Sequence, residues 1–208
     1  MKMMTRSAVD QRLLGAILRY AETRDHPDFE PFMRLLRDWG DQWTPVEPQH
    51  FAASDTLAAA ADKAIPAARE MVAEFVEFRH RCRWRQTYTR EDGLVGDDML
   101  SNYGYVEVVG PNGPFVSEKL RCGLFLLGPD ITYPAHRHAP AEIYDIVAGD
   151  AIFFIGEQSE VMHPRIYRAG EHVYIQPNQR HGFATGDDPF VVFYFHAGVD
   201  LVSKSRFD

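Results

Sequence analysis

Long apolar runs are absent from this chain of 208 residues. No stretch approaches the ~18 consecutive apolar residues of a membrane-spanning helix, so no span is expected. The first segment, MKMMTRSAVDQRLLGAILRYAETRD, starts basic, but Asp10, Gln11 and Arg12 interrupt any apolar core. It reads as an amphipathic helix rather than a signal peptide, and a cytoplasmic location is the default expectation. Cysteine is scarce. Cys82 and Cys122 are the only two, isolated and in no CxxC pattern, and are expected to be buried reduced thiols. Positive charge is in deficit: 22 Lys and Arg face 30 Asp and Glu, for a net charge of −8. That balance argues against a nucleic-acid partner, which normally demands a basic surface to neutralise phosphates. Internal repeats, low-complexity tracts and a helix-turn-helix are also missing.

What is present is ordinary globular chemistry. With 45% hydrophobic and 25% charged residues, the chain is too apolar for disorder and long enough to bury a real core. Val9, Leu13, Leu14, Ile17 and Leu18 recur at helical spacing, as do Phe32, Leu35, Leu36 and Trp39 before Gly40. The Ala-rich run TLAAAADKAIPAAREMVAEFVEFRHRC continues the pattern, with Pro66 marking a break or a fresh helix start. From about Trp84 the texture changes to short β-prone runs separated by Gly, Pro, Asn and Asp. Strands are expected near YGYVEVVG, LRCGLFLLG, the segment running into HRH, EIYDIVAG, AIFFIG, EHVYIQP and PFVVFYFH. The outline is mostly β: a helical region over residues 1–83 packing on an antiparallel β-barrel domain over residues 84–208.

Chemistry concentrates in HRHAPAEIY, which sets His136, His138, Glu142 and Tyr144 within nine residues. Residues two apart in a strand share a face, so His136 projects with His138, and Glu142 with Tyr144. A turn at Pro140 between the pairs makes two imidazoles and a carboxylate converge. A further histidine, His181, follows Pro177 in what reads as a loop and is placed to reach the same cavity. Imidazole nitrogens and a carboxylate suit one divalent transition metal (Zn, Fe, Mn, Co or Ni), bound more weakly in acid.

The spacing His136-x-His138, Glu142 and then Gly149 resembles the first motif of the cupin superfamily, and Gly170, Pro177 and His181 resemble the second. The second segment departs from the pattern: it lacks a glycine after its proline, and its histidine comes one place early. The resemblance implies a double-stranded β-helix with the metal inside. Tyr133-Pro134-x-His136-x-His138-x-x-x-Glu142-x-Tyr144, preceded by GYVEVVGPNGPF and a helical region, is similar to the cupin-type dimethylsulfoniopropionate (DMSP) lyases. That family resemblance implies metal ligands at His136, His138, Glu142 and His181, with Tyr144 and Tyr133 as the catalytic candidates. It also implies a small zwitterionic or carboxylate substrate, cleaved by β-elimination to dimethyl sulfide and acrylate. Strand parity favours Tyr144 beside the metal. Tyr133 has the opposite parity to His136 unless Pro134 kinks or bulges the strand.

Other residues carry weaker expectations. A sulfonium prefers aromatic faces, with Tyr103, Tyr105, Phe153, Tyr174, Tyr194 and Trp84 as candidates. His163, His172 and His196 read as structural or surface residues, although His172, Tyr174 and Gln176 share a strand face and could support the ligands. The helical region either covers the barrel mouth or joins two copies in a homodimer. The competing functions are a cupin dioxygenase or isomerase on another small carboxylate, and a non-catalytic binding cupin.

Overall fold

Apolar residues at helical spacing build the first third of the chain. The structure, a computed structural model, describes residues 7–40, 42–156 and 164–207. Helix α1 (Ala8–Ala21) buries Leu13, Leu14, Ile17 and Tyr20 along one stripe. Helix α2 (Glu30–Arg37) has Pro31 and Glu30 in its first turn and Arg34 and Arg37 in its last, the polarity its dipole favours. Pro66 does break the Ala-rich run. Helix α3 (Leu57–Ala61) ends before it, and a 3-10 turn over Pro66–Ala68 leads into α4 (Arg69–Glu77). A short α5 (Asp97–Asn102) runs directly into the β region.

Ten strands follow among the described residues: β1 Trp84–Arg85, β2 Tyr103–Val109, β3 Leu120–Leu127, β4 Thr132–His136, β5 Ala141–Ala148, β6 Asp150–Ile155, β7 Arg165–Arg168, β8 His172–Ile175, β9 His181–Thr185 and β10 Phe190–Ala197. They form two antiparallel sheets, ordered β1-β2-β3-β10-β5-β8 and β4-β9-β6-β7. This is the expected mostly β, cupin-type fold. Strands β1, β7 and β9 lie outside the expected set. β7 is short and polar, and β9 (HGFAT) holds Gly and Ala, which favour strands weakly. β9 takes its form from pairing with β4 on one side and β6 on the other.

Alternation along each strand divides the apolar residues into two layers. Tyr105, Phe125, Tyr144, Ile146, Val192 and Tyr194 face inward and meet Tyr133, Phe153 and Phe183 of the second sheet. Their neighbours Val106, Leu124, Ile143, Val147, Phe193 and Phe195 face outward, against Ile17, Phe29, Phe32, Leu57 and Phe75 of the helical region. The helices therefore cover the outer face of the six-stranded sheet, not the barrel mouth. A sheet buried on both faces needs that cover, because its outward row would otherwise leave aromatic side chains in water. Cys82 and Cys122 are free and buried, as expected.

Candidate metal centre and its pocket

Two local irregularities bring the polar residues together. Along the β4–β9 pair, Tyr133 lies opposite Phe183 and His136 opposite His181. Three steps on β4 thus match two on β9, so an extra residue bulges out at Pro134–Ala135. The bulge reverses the parity conflict and turns Tyr133 to the same interior as His136. The chain then bends at Ala139–Pro140 and returns as β5, carrying Glu142 and Tyr144 inward. His181 is not in a loop. It is the first residue of β9, fixed beside His136 by strand pairing.

The side chains converge. Glu142 Oε2 lies 2.9 Å from His138 Nε2 and 3.3 Å from His181 Nε2. The His136 and His181 rings are 4.3 Å apart between centroids. Each of these three imidazoles uses its other nitrogen on a main-chain carbonyl: His136 Nδ1 on Pro134 at 2.9 Å, His138 Nδ1 on Pro140 at 3.0 Å, and His181 Nδ1 on Gln179 at 2.9 Å. A carbonyl only accepts, so the proton sits on Nδ1 and the Nε2 lone pair faces the centre. Three lone pairs and a carboxylate then confront one another, with the Tyr144 hydroxyl 3.4 Å from His181 Nε2, and a cation resolves that. The ligand atoms of His136, His138 and His181 lie within 4.8 Å of one another, as do those of His138, Glu142 and His196. This donor set fits a divalent transition metal, held through Nε2 atoms and a carboxylate oxygen.

Burial sets the electrostatics. It pushes the His136 pKa well below the usual imidazole range, helped by His181. Burial also opposes ionisation of Glu142, yet His196 and His138 outweigh it and hold that carboxyl well below its usual range. Tyr144 is displaced the other way: burial and the Glu142 carboxylate raise its phenol well above the ordinary value. Tyr133 is raised likewise, by burial first.

Both tyrosines reach the pocket, but at different places. The Tyr144 hydroxyl lies 3.4 Å from His181 Nε2. The Tyr133 ring stacks on Phe183 at 5.3 Å, and its hydroxyl donates to Tyr88 Oη at 3.4 Å. Of the proposed sulfonium-facing aromatics, only Tyr105 and Tyr194 line the pocket, joined by Phe125 and Tyr133. Trp84 faces the helical layer, and Tyr103 and Phe153 sit deeper in the interior. Tyr174 is 38% exposed on the outside, against Phe32. The segment after β10 roofs the site. Arg206 pairs with Arg137 through the main chain at 2.8 and 2.9 Å, Lys204 binds Asp92 at 2.9 Å, and Phe207 packs on Tyr88.

Of the histidine expectations, the structural or surface reading of His172 agrees with its place in the fold and that of His196 changes. His172 points outward and bonds Asp28 at 2.9 Å, so neither it nor exposed Tyr174 supports the ligands. His196, read from sequence as structural or surface, is instead inside the site, with Nε2 2.6 Å from Glu142 Oε1. Its signal was available in the alternation of PFVVFYFH, which puts Val192, Tyr194 and His196 on one face. His163 lies outside the described residues. Arg121, which sequence reasoning did not single out, is also a site residue, and Tyr88 backs the wall through Tyr133. Arg121 lines the pocket, with Nε 3.1 Å from Glu107 Oε2 and its guanidinium over the Tyr105 ring at 4.8 Å.

Fold and site together define a cupin with a histidine–glutamate candidate metal centre. The family model for dimethylsulfoniopropionate lyase matches residues 38–192. The chain belongs to the DMSP lyase family. It is 31% identical over 116 residues to the DMSP lyase DddQ of Ruegeria pomeroyi, covering 56% of this chain and 55% of that protein. The matched region thus spans about half the length of the curated relatives. A chain solved in work on the DMSP lyases RdDddP and RnDddQII superposes with a TM-score of 0.81 at 25% identity, covering 97% of this chain and 98% of that one. The crystal structure of DddQ from Ruegeria pomeroyi DSS-3 shares the fold, with a TM-score of 0.82 at 24% identity over 96% of each chain.

Proposed function

We propose that this chain cleaves DMSP, or a close analogue, to dimethyl sulfide and acrylate, with Tyr144 as the base. The observation that carries the reading is the Tyr144 hydroxyl, 3.4 Å from His181 Nε2 and inside a pocket walled by aromatic rings. His136, His138, His181 and Glu142 would hold a divalent transition metal. When bound, that ion supplies Lewis acidity toward a substrate carboxylate and a positive charge that favours phenolate over phenol.

The chain's own residues do the rest. The Tyr144 oxygen takes the proton from the carbon next to the carboxylate, and the carbon–sulfur electron pair leaves with sulfur. The products are neutral dimethyl sulfide, acrylate, and a proton held on Tyr144 until solvent accepts it. Without a counter-charge, burial and Glu142 keep that phenol protonated, so base strength depends on the filled centre. Phe125, Tyr105 and Tyr133 offer faces to the dimethylsulfonium. Tyr133, tied to Tyr88, orients the substrate and the wall around it.

The experiment is headspace detection of dimethyl sulfide from metal-loaded protein under anaerobic conditions. Wild type is expected to release it. Tyr144→Phe should lower the rate by about 10²–10⁴-fold with metal content unchanged, the range for losing a general base, and Tyr133→Phe should lower it less. No release with Fe, Mn, Zn, Co or Ni would refute the lyase reading. A Tyr144→Phe rate close to wild type would refute the assignment of the base.

A further inference from the structure

The carboxylate of Glu142 has two oxygens, and the structure gives them different partners. Oε2 faces the imidazole cluster, 2.9 Å from His138 Nε2 and 3.3 Å from His181 Nε2. Oε1 faces His196, 2.6 Å from its Nε2. Strand register produces this division. His196 on β10 lies directly opposite Glu142 on β5, and opposite Arg121 on β3 at its other side. Adjacent strands hold such facing side chains at a fixed separation, so the His196–Glu142 contact is built into the sheet.

His196 also differs from the other three histidines in the nitrogen it presents. His136, His138 and His181 spend Nδ1 on main-chain carbonyls and present Nε2 lone pairs. His196 presents Nε2 to Glu142 Oε1 at 2.6 Å, the shortest contact that this carboxylate makes with an imidazole. No main-chain carbonyl accepts from His196 Nδ1 among the described residues, and a carboxylate oxygen only accepts, so here Nε2 is free to carry the hydrogen and donate to Oε1.

We infer that His196 is a positioning residue: its Nε2–H holds Glu142 Oε1 and thereby aims Oε2 alone at the metal. The inference rests on the metal-centre part of the proposed function and not on the reaction. Groups that hold ligands in this way typically contribute about 10–100-fold to metal affinity. The sheet makes the arrangement stiff, because neither partner can turn away without leaving a buried charged oxygen unpaired.

The test is titration of the metal-depleted full chain with Co(II), followed by the visible absorption of the bound ion. His196→Phe keeps the ring volume and removes the donor. It should weaken Co(II) binding by about 10–100-fold, at unchanged one-ion stoichiometry, and alter the absorption bands. His196→Gln keeps an N–H donor and should recover a large part of both. Wild-type affinity and bands in His196→Phe would overturn the proposal, and so would a Gln variant no better than Phe. Imidazole ¹⁵N NMR of the Zn(II)-loaded wild type reads the same point without a variant, should His196→Phe fail to fold. The proposal expects protonation at Nδ1 in His136, His138 and His181, and at Nε2 in His196. A metal-bound His196 nitrogen overturns it. Dimethyl sulfide enters neither readout, so failure here and failure of the lyase reading are separate results.

Discussion

Replacing Asp145 by asparagine tests how the helical cover is fastened to the sheet. Asp145 faces outward from β5, fully buried, with the Tyr20 hydroxyl donating to it at 2.7 Å and the Arg24 guanidinium 2.8 Å away. Burial pushes its pKa up to about 6, because Arg24 and Tyr20 offset the lost hydration only in part. In the unfolded chain the value is ~3.9. The native state therefore binds this proton more tightly, and the associated stability is fully present below about pH 4 and lost as pH rises through about 6. At about 1.4 kcal/mol per pKa unit, the group should cost the native state about 2 kcal/mol between roughly pH 4.5 and 7.5. The depressed pKa values of His136 and His196 act with the opposite sign, so the wild-type curve alone is a mixture. The informative quantity is the wild-type minus Asp145→Asn difference, from urea unfolding in a chelator across that range. Asparagine still accepts from Tyr20 but does not titrate, so the difference should turn against wild type as pH rises. A flat difference, or one of opposite slope, would refute the reasoning.

Two other substitutions probe the layers on either side of the sheet. Phe193, fully buried between Tyr20 at 6.2 Å and Phe195 at 4.9 Å, should cost about 3–5 kcal/mol on truncation to alanine in urea unfolding; a loss under about 1 kcal/mol would mean the helices do not pack as described. Glu142→Gln keeps the shape but removes the charge, and should weaken Co(II) by more than the ~100-fold upper range for an outer-shell partner; near-wild-type affinity would remove Glu142 from the ligand set.

Much of this architecture was legible because period-two patterns survive in long strands. β2, β3, β5, β6 and β10 all read directly from their alternation and turn residues. β9 did not, since His181-Gly182-Phe183-Ala184-Thr185 has little intrinsic strand preference and is held by two neighbours. The place of the helices was legible only as an apolar stripe; which surface it covers depends on the outward rows of β3 and β10. In the candidate site, His136, His138, Glu142 and Tyr144 follow from local spacing and one turn. Tyr133 needed a bulge that Pro134 hints at and only pairing with β9 fixes. The place of His196 inside the site is not legible locally, because its partner, Glu142, is 54 positions away and joined to it only by the register of β10 on β5.

That register also explains why chemistry gathers at one end of the pocket. Reading across β3, β10 and β5, one inward row is Arg121, His196 and Glu142. The adjacent inward row is Gly123, Tyr194 and Tyr144, and the next holds Phe125, Val192 and Ile146. Charged groups thus occupy the row near the mouth, hydroxyls the row behind it, and hydrocarbon the interior. Gly123 carries no side chain in the middle row because β2 approaches closely there: a Cβ would run into the main chain of Val106. The proposed substrate would meet opposite ends of this gradient, its carboxylate by the histidines and its apolar cation against the rings. The same gradient places Tyr144 one row behind Glu142, buried beside the candidate centre, where the base role proposed for its phenol would require a bound cation.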